Sequence, residues 1–211
     1  MYSSSERNNS EGPKLSLERI RAWGVDHETE DQKSPGEKDV PSASVNCILR
    51  RSEDRSPEVL LLQRQIAKRD PWSGQVSFPG GRSKTGESPL ETAKREAMEE
   101  TGIDLDRCEI VGRLESVLPG NFSIRVTPFL VIAPRGATVK IDHVEIVDYF
   151  WVSLDFFADE KNSQIYTFSR FGRTIQTPSF VVAGKYVVWG MTLRIILNLI
   201  SELGQNQDGG P

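Results

Sequence analysis

The sequence predicts an α/β sandwich, a mixed sheet covered by helices. Short apolar runs bounded by turn residues recur from about Val40 to Leu203. One sharply punctuated helix interrupts them, and a long apolar segment closes the series. Strands with one internal and one terminal helix are the pattern of a sheet that needs cover.

In chain order, "ASVNCILR" and "EVLLLQR" read as strands joined by the polar turn "RSEDRSP". "GQVSFPGG" reads as a short strand running into a tight turn. The punctuated helix follows, and then "EIVGRLESVL", "SIRVTPFLVIA" and "EIVDYFWV" as strands. "SQIYTFSRFGRTIQT" reads as a hairpin turning near Phe171-Gly172. "YVVWGMTLRIILNLISEL" reads as the closing helix, with Trp189, Leu193, Ile196 and Ile200 inward. Residues 1–39 form a polar, Ser-rich arm too poor in apolar residues to fold alone, residues 40–203 the domain, and residues 204–211 a frayed tail. Within the arm, "LSLERIRAWG" places Leu17, Ile20 and Trp23 near helical spacing, which reads as a short helix docking on the body or, second, as a fragment that orders only with a partner.

The chain has 211 residues and a formal net charge of −4. That length suits one domain with an appendage. Basic residues are scattered rather than gathered in a stripe, which argues against a nucleic-acid partner. No apolar run reaches membrane-spanning length, so no membrane is expected. The N-terminus has no apolar signal core and carries early acidic residues. Two cysteines, Cys47 and Cys108, are too few for a disulfide framework. They are expected to be buried free thiols in a reducing, cytoplasmic compartment.

The internal helix carries the chemistry. Ser88-Pro89-Leu90-Glu91 is a capping box with proline at the first helical position, and Gly102 is placed to end the helix. At about 100° per residue, Leu90, Ala93, Ala97 and Thr101 form the inward face. Glu96 and Glu100 lie beside that face with Glu99 one step further round, all within an arc of roughly 100°. A merely solvating stripe would oppose the core, whereas this one borders it. Sheltered carboxylates repel and need a cation, because uncompensated buried charge is expensive. A hard divalent ion such as Mg²⁺ fits, with oxygen ligands shared between carboxylates and a substrate phosphate. His27 and His143 are far apart in sequence, which argues against zinc.

Gly81, Glu87, Arg95-Glu96, Glu99-Glu100, Gly102 and Ile103 stand in a fixed register. The stretch "GGRSKTGESPLETAKREAMEETGI" resembles the Nudix hydrolase box at every fixed position, with Ala97 where the family more often has a larger aliphatic. The resemblance implies an α/β/α sandwich with a mixed sheet. It also implies a hydrolase that cleaves a nucleoside diphosphate linked to another moiety. By the same resemblance Glu96, Glu99, Glu100 and the Gly81 carbonyl hold Mg²⁺ or Mn²⁺. Arg95 and Glu87 then support loop and helix through their paired charges. The general base is a helix glutamate such as Glu99, or a glutamate on a later loop, where Glu145 leads and Asp148 is second. Arg64 and Arg82 flank the box and could hold phosphates bidentately. The implied partner is a small nucleotide, and a homodimer is left open.

"LLLQR", "GQVSFPGG", "RVTPFLVIA", "EIVDYFWVSLDFF" and "VVWGMTLRII" resemble the coenzyme A pyrophosphatase branch. That branch expects a serine-alanine pair and an arginine where this chain has Gln65-Ile66 and Asp70, with Lys68 and Arg69 just before. Pro119 stands sixteen residues past the box, a position associated with ADP-ribose hydrolases. The rivals are therefore an ADP-ribose or oxidised nucleoside triphosphate hydrolase, or a domain that binds nucleotide without cleaving it.

Overall fold

The computed structural model describes residues 15–25, 41–67, 72–118, 124–170 and 172–205. A seven-stranded mixed sheet forms the middle layer. Strand β1 (Ser42–Arg51) is central and pairs in parallel with β6 (Arg125–Ile132) along its length. On its other side β1 pairs antiparallel with β2 (Pro57–Arg64) near its end and with β4 (Gly80–Arg82) near its start. β2 continues to β3 (Val76–Ser77) and β7 (Ile146–Ser153), while β5 (Glu109–Arg113) pairs with β6.

The near-continuous apolar runs of β1, β2 and β6 follow from burial on both faces. On β1, Ala43, Val45, Cys47 and Leu49 enter one core cluster, while Ile48 enters the other. β2 divides likewise, with Val59 and Leu61 on one face and Leu60 and Leu62 on the opposite face. Helix α2 (Pro89–Thr101) covers the second face through Ala93 and Ala97. The first face is covered by α1 (Leu17–Val25), α3 (Leu154–Ala158) and α4 (Gly190–Gln205). The architecture is the expected α/β/α sandwich.

Three elements depart from the sequence reading. The closing segment begins as a strand, β10 (Tyr186–Trp189), and α4 starts only at Gly190. Tyr186, Val187, Val188 and Trp189 are β-branched or aromatic, and they extend a separate three-stranded sheet with β8 (Ser163–Arg170) and β9 (Arg173–Val182). Trp189 therefore packs with Tyr166 and Phe168 on that sheet, not on the helix. Leu193 and Ile196 are buried and Ile200 packs against the same core, as expected. The strand expected over "EIVGRLESVL" stops at Arg113, leaving a single bridge between Val117 and Val126. α3 has no counterpart in the sequence reading.

The helix within the arm docks on the sandwich. Leu17, Ile20 and Trp23 are 3%, 0% and 2% exposed and belong to the larger core cluster. The rest of the arm, at 1–14 and 26–39, and the tail from 206 lie outside the described residues. Cys47 is buried and Cys108 half-buried, both free. Among the described residues no helix is long and apolar enough to cross a membrane.

An arm too polar to fold by itself is expected to come off without damage, yet four of its side chains, Leu15, Leu17, Ile20 and Trp23, fill the core. Trp23→Ala should destabilise the chain by about 3–5 kcal/mol, the range for large aromatic truncations. Deletion of residues 1–38 should destabilise it further. Urea denaturation would measure both, and an unchanged midpoint for either would place α1 outside the cooperative unit.

Candidate active site

Helix α2 is set by local chemistry before any tertiary contact. The Ser88 hydroxyl accepts from the Glu91 amide at 3.2 Å, and the Glu91 carboxylate accepts from the Ser88 amide at 2.8 Å. Gly102 ends the helix at φ 67°, where its N–H donates to the Met98 carbonyl. Two polar side chains of β1 fasten the helix to the sheet. Ser44 Oγ donates to the Pro89 carbonyl at 2.7 Å, and Asn46 Nδ2 donates to the Ala93 carbonyl at 2.9 Å. These tethers fix which way the carboxylates face.

They face a cavity of about 560 Å³ between α2, the start of β1, β3–β4 and the start of α4. Glu96, Glu99 and Glu100 line it, as do Gly81, Arg64, Arg82 and Arg95. Glu145 lines it too, from a loop that is fastened at both ends. The Asp142 amide donates to the Glu100 carbonyl, and the Glu145 carbonyl accepts from the Gln65 amide at 2.7 Å. Asp148 is not among the lining residues. Its carboxylate turns to Tyr186, whose hydroxyl donates to it at 2.6 Å.

The charges at this wall are distributed unequally. Arg95 donates from Nε and Nη2 to the two Glu87 oxygens, at 2.7 and 3.0 Å. Its Nη1 donates to Glu96 at 2.6 Å and to Glu99 at 2.9 Å, and Nη2 also reaches the Arg82 carbonyl at 3.0 Å. Glu87 further accepts from the Lys84 amide at 2.8 Å. Arginine beside it holds the Glu87 carboxyl down to about 2. Glu100 is only 3% exposed and accepts from the Gly80 amide at 2.8 Å, with Arg64 at 3.4 Å. Burial outweighs those partners and pushes its carboxyl up to about 8. Burial also raises Glu96.

The three helix glutamates thus border one cavity, but Glu96 and Glu99 share Arg95 whereas Glu100 turns to the Gly80 amide and Arg64. Among the described residues no three His, Cys, Asp or Glu side chains converge as a ready metal cluster. The donor set still suits a hard divalent ion. Among the described residues five carboxylates line the cavity against three arginines, namely Glu96, Glu99, Glu100, Asp142 and Glu145 against Arg64, Arg82 and Arg95. Burial raises the Glu96 and Glu100 carboxyls despite Arg95 and Arg64 beside them, so ionising both there calls for further positive charge. Gly81 leaves room for one of them. A Cβ there would lie 2.5–2.7 Å from the Glu96 carboxylate, so any side chain would push that group away.

Sequence reasoning missed Trp72, Asp142 and Met191 in the lining. Trp72 lies in the polar stretch "KRDPWSGQ", where a large aromatic with no strand or helix pattern was the available signal. Ser44 and Asn46 interrupt an apolar strand, and that interruption marks the helix tethers. Lys68, Arg69, Asp70 and Pro119 lie outside the described residues, while Gln65 and Ile66 are exposed. His143 is exposed and His27 lies outside the described residues.

The family model for the NUDIX domain matches residues 40–170. Nudix hydrolase 3 of Caenorhabditis elegans is 39% identical over 94 residues, covering 44% of this chain and 39% of that protein. An uncharacterized Schizosaccharomyces pombe protein, C14C4.10c, is 37% identical over 106 residues, covering 46% of this chain and 32% of its own. The chain therefore spans well under half the length of these two relatives. The uncharacterized Nudix hydrolase NudL of Photorhabdus laumondii is 30% identical over 145 residues, covering 68% of this chain and 76% of NudL. A MutT/nudix family protein from Enterococcus faecalis shares the fold, with a TM-score of 0.51 at 17% identity over 90% of this chain and 70% of that one.

The Glu87–Arg95 pair generates an acid-dependent stability. The folded-state carboxyl is depressed from 4.5 to about 2. Its stabilisation is therefore complete above about pH 4.5 and is lost as pH falls toward 2. Glu87→Gln should be less stable than the parent near neutral pH, with the gap closing in acid. Denaturation midpoints of both proteins across that range test this, and a gap independent of pH would contradict it.

Proposed function

Because the chain belongs to the NUDIX domain family, we propose that it is a divalent-cation-dependent pyrophosphohydrolase of nucleoside diphosphate derivatives. One observation carries the reading. Three glutamates on a helix of fixed register border a single cavity, and Glu100 is buried there with its carboxyl raised. Such a wall costs stability unless something cationic compensates it.

In this reading Glu96, Glu99, Glu100 and the Gly81 carbonyl hold Mg²⁺ or Mn²⁺. When bound, the ion neutralises phosphate oxygens and lowers the pKa of a bound water. The chain's own groups do the rest. Arg64 and Arg82, both on the lining, hold the diphosphate. Arg95 locks the loop carrying Glu87 to α2 and keeps Glu96 and Glu99 at the cavity edge. Glu145 reaches the same cavity from the loop before β7 and is suited to take the proton of the attacking water, with Glu99 the alternative base on the helix. Asp148 is engaged by Tyr186 and does not serve.

The preferred substrate in this reading is coenzyme A or an acyl derivative, cleaved within its diphosphate. Support comes from the five segments between "LLLQR" and "VVWGMTLRII". Each contributes to the cavity lining: Arg64, Val76 with Phe78, Val126, Glu145, and Met191 with Thr192.

Two measurements test these proposals. Glu99→Gln and Glu100→Gln should each lower turnover about a hundredfold or more at saturating Mg²⁺ while circular dichroism stays unchanged. Near-normal rates in either variant would remove the metal assignment. Coenzyme A, dephospho-coenzyme A, ADP-ribose and an oxidised deoxynucleoside triphosphate should then be ranked by kcat/KM. A tenfold lead for either of the last two, about 1.4 kcal/mol in transition-state binding, would overturn the coenzyme A assignment and leave the hydrolase intact.

A further inference from the structure

We infer that Trp72 is the stacking platform for a planar nucleobase and that Arg82 shuttles between that ring and the ligand's phosphate. The inference rests on the nucleotide-site reading above and adds to it where the base sits.

The geometry is local and specific. Two aromatic side chains are among the described residues lining the cavity, Trp72 and Phe78. Phe78 is 3% exposed and belongs to the core, whereas Trp72 is half-buried. Part of the indole packs against the core cluster, and part borders the cavity. Its turn is held from several sides. The Gln75 amide donates to the Trp72 carbonyl, the Gly74 amide to the Gln65 carbonyl, and the Gln63 side-chain amide to the Gly74 carbonyl at 2.9 Å. Ser73 Oγ accepts from the Ala67 amide at 2.7 Å. An aromatic ring on a pinned turn gives contact area at little entropic cost on binding.

The Arg82 guanidinium lies 5.6 Å from the indole centroid, within cation–π range. Arg82 is exposed and sits at the end of β4, next to Gly81 and the carboxylate wall. A planar base has a π-face and can take the place of the guanidinium over the ring, which frees that charge for the phosphate attached to the same ligand. A base and a phosphate are thereby recognised together by one aromatic–arginine pair. Base–aromatic stacking is worth about 1–3 kcal/mol, so roughly 5- to 150-fold in affinity rides on Trp72.

The test uses binding, so it does not depend on turnover. AMP and ribose 5-phosphate differ by the base alone, and both are titrated against the full chain by calorimetry and by tryptophan fluorescence. AMP should bind at least fivefold tighter than ribose 5-phosphate and quench emission. Trp72→Phe should keep most of the AMP affinity and lose the quench. Trp72→Leu should bring AMP down to the level of ribose 5-phosphate, while Trp151→Phe, on β7 and outside the cavity lining, should change neither. Equal binding of the two ligands by the parent protein would overturn the inference, as would a quench that survives in Trp72→Phe. Turnover of a coenzyme A substrate with base recognition absent would overturn this inference alone. AMP recognition without turnover would overturn the hydrolase reading alone.

Discussion

One guanidinium orders the glutamate-rich edge of the cavity. Arg95 touches Glu87, Glu96, Glu99 and the Arg82 carbonyl, so a single side chain joins the loop after β4 to the helix that follows it. The planar fork matters, because it directs separate N–H groups at separate oxygens. A lysine has one nitrogen and could not span both Glu87 oxygens and two helix carboxylates together. Without this link the loop bearing Glu87 would still meet α2 through the Thr92 hydroxyl and the Lys84–Glu99 pair, but no fork would bind loop and helix carboxylates together. The same fork also places one positive charge between Glu87, Glu96 and Glu99, which offsets part of their mutual repulsion.

That fork works only because α2 is presented at the correct rotation, and β1 determines the rotation. Odd-numbered residues of β1 feed one core, while Ser44, Asn46 and Ile48 face α2. Ser44 and Asn46 hydrogen-bond to carbonyls of the helix's first two turns. Ile48 packs with Ala93 and Ala97 in the second core cluster. The apolar positions alone would let a helix with two small inward alanines slide or roll. Directional hydrogen bonds from a central strand remove that freedom.

The parts legible in the sequence were those with local causes. The capping box, the proline at the first turn and the terminal glycine placed α2 correctly because each acts within a few residues. Two-sided burial made β1, β2 and β6 readable as apolar runs. What failed had distant causes. β10 and α4 share one apolar stretch, and only pairing with β9 decides where strand gives way to helix. The spacing of Leu17, Ile20 and Trp23 made the docking of α1 legible, but not that Trp23 enters a core assembled from residues far along the chain. At the site the box residues were legible by register. Trp72 and Asp142 were not, since neither belongs to a periodic pattern and only the fold brings them to the cavity.

The cavity itself has two kinds of wall, and this separates the chemistry from the choice of substrate. On the α2 side are carboxylates and arginines, held by caps, tethers and the Arg95 fork. On the other side Ala43, Val45, Val126 and Met191 present apolar surface from β1, β6 and α4. The first wall is specified by a compact segment and can be read from it. The second is drawn from strands and a helix separated by many residues, each also serving the core. A change at Val45 or Met191 would therefore alter what the cavity admits and leave the carboxylates untouched. In the proposed reading, reaction class follows from the short register on one helix. Substrate identity is spread over the fold, which is why the box announces the first so much more clearly than the second.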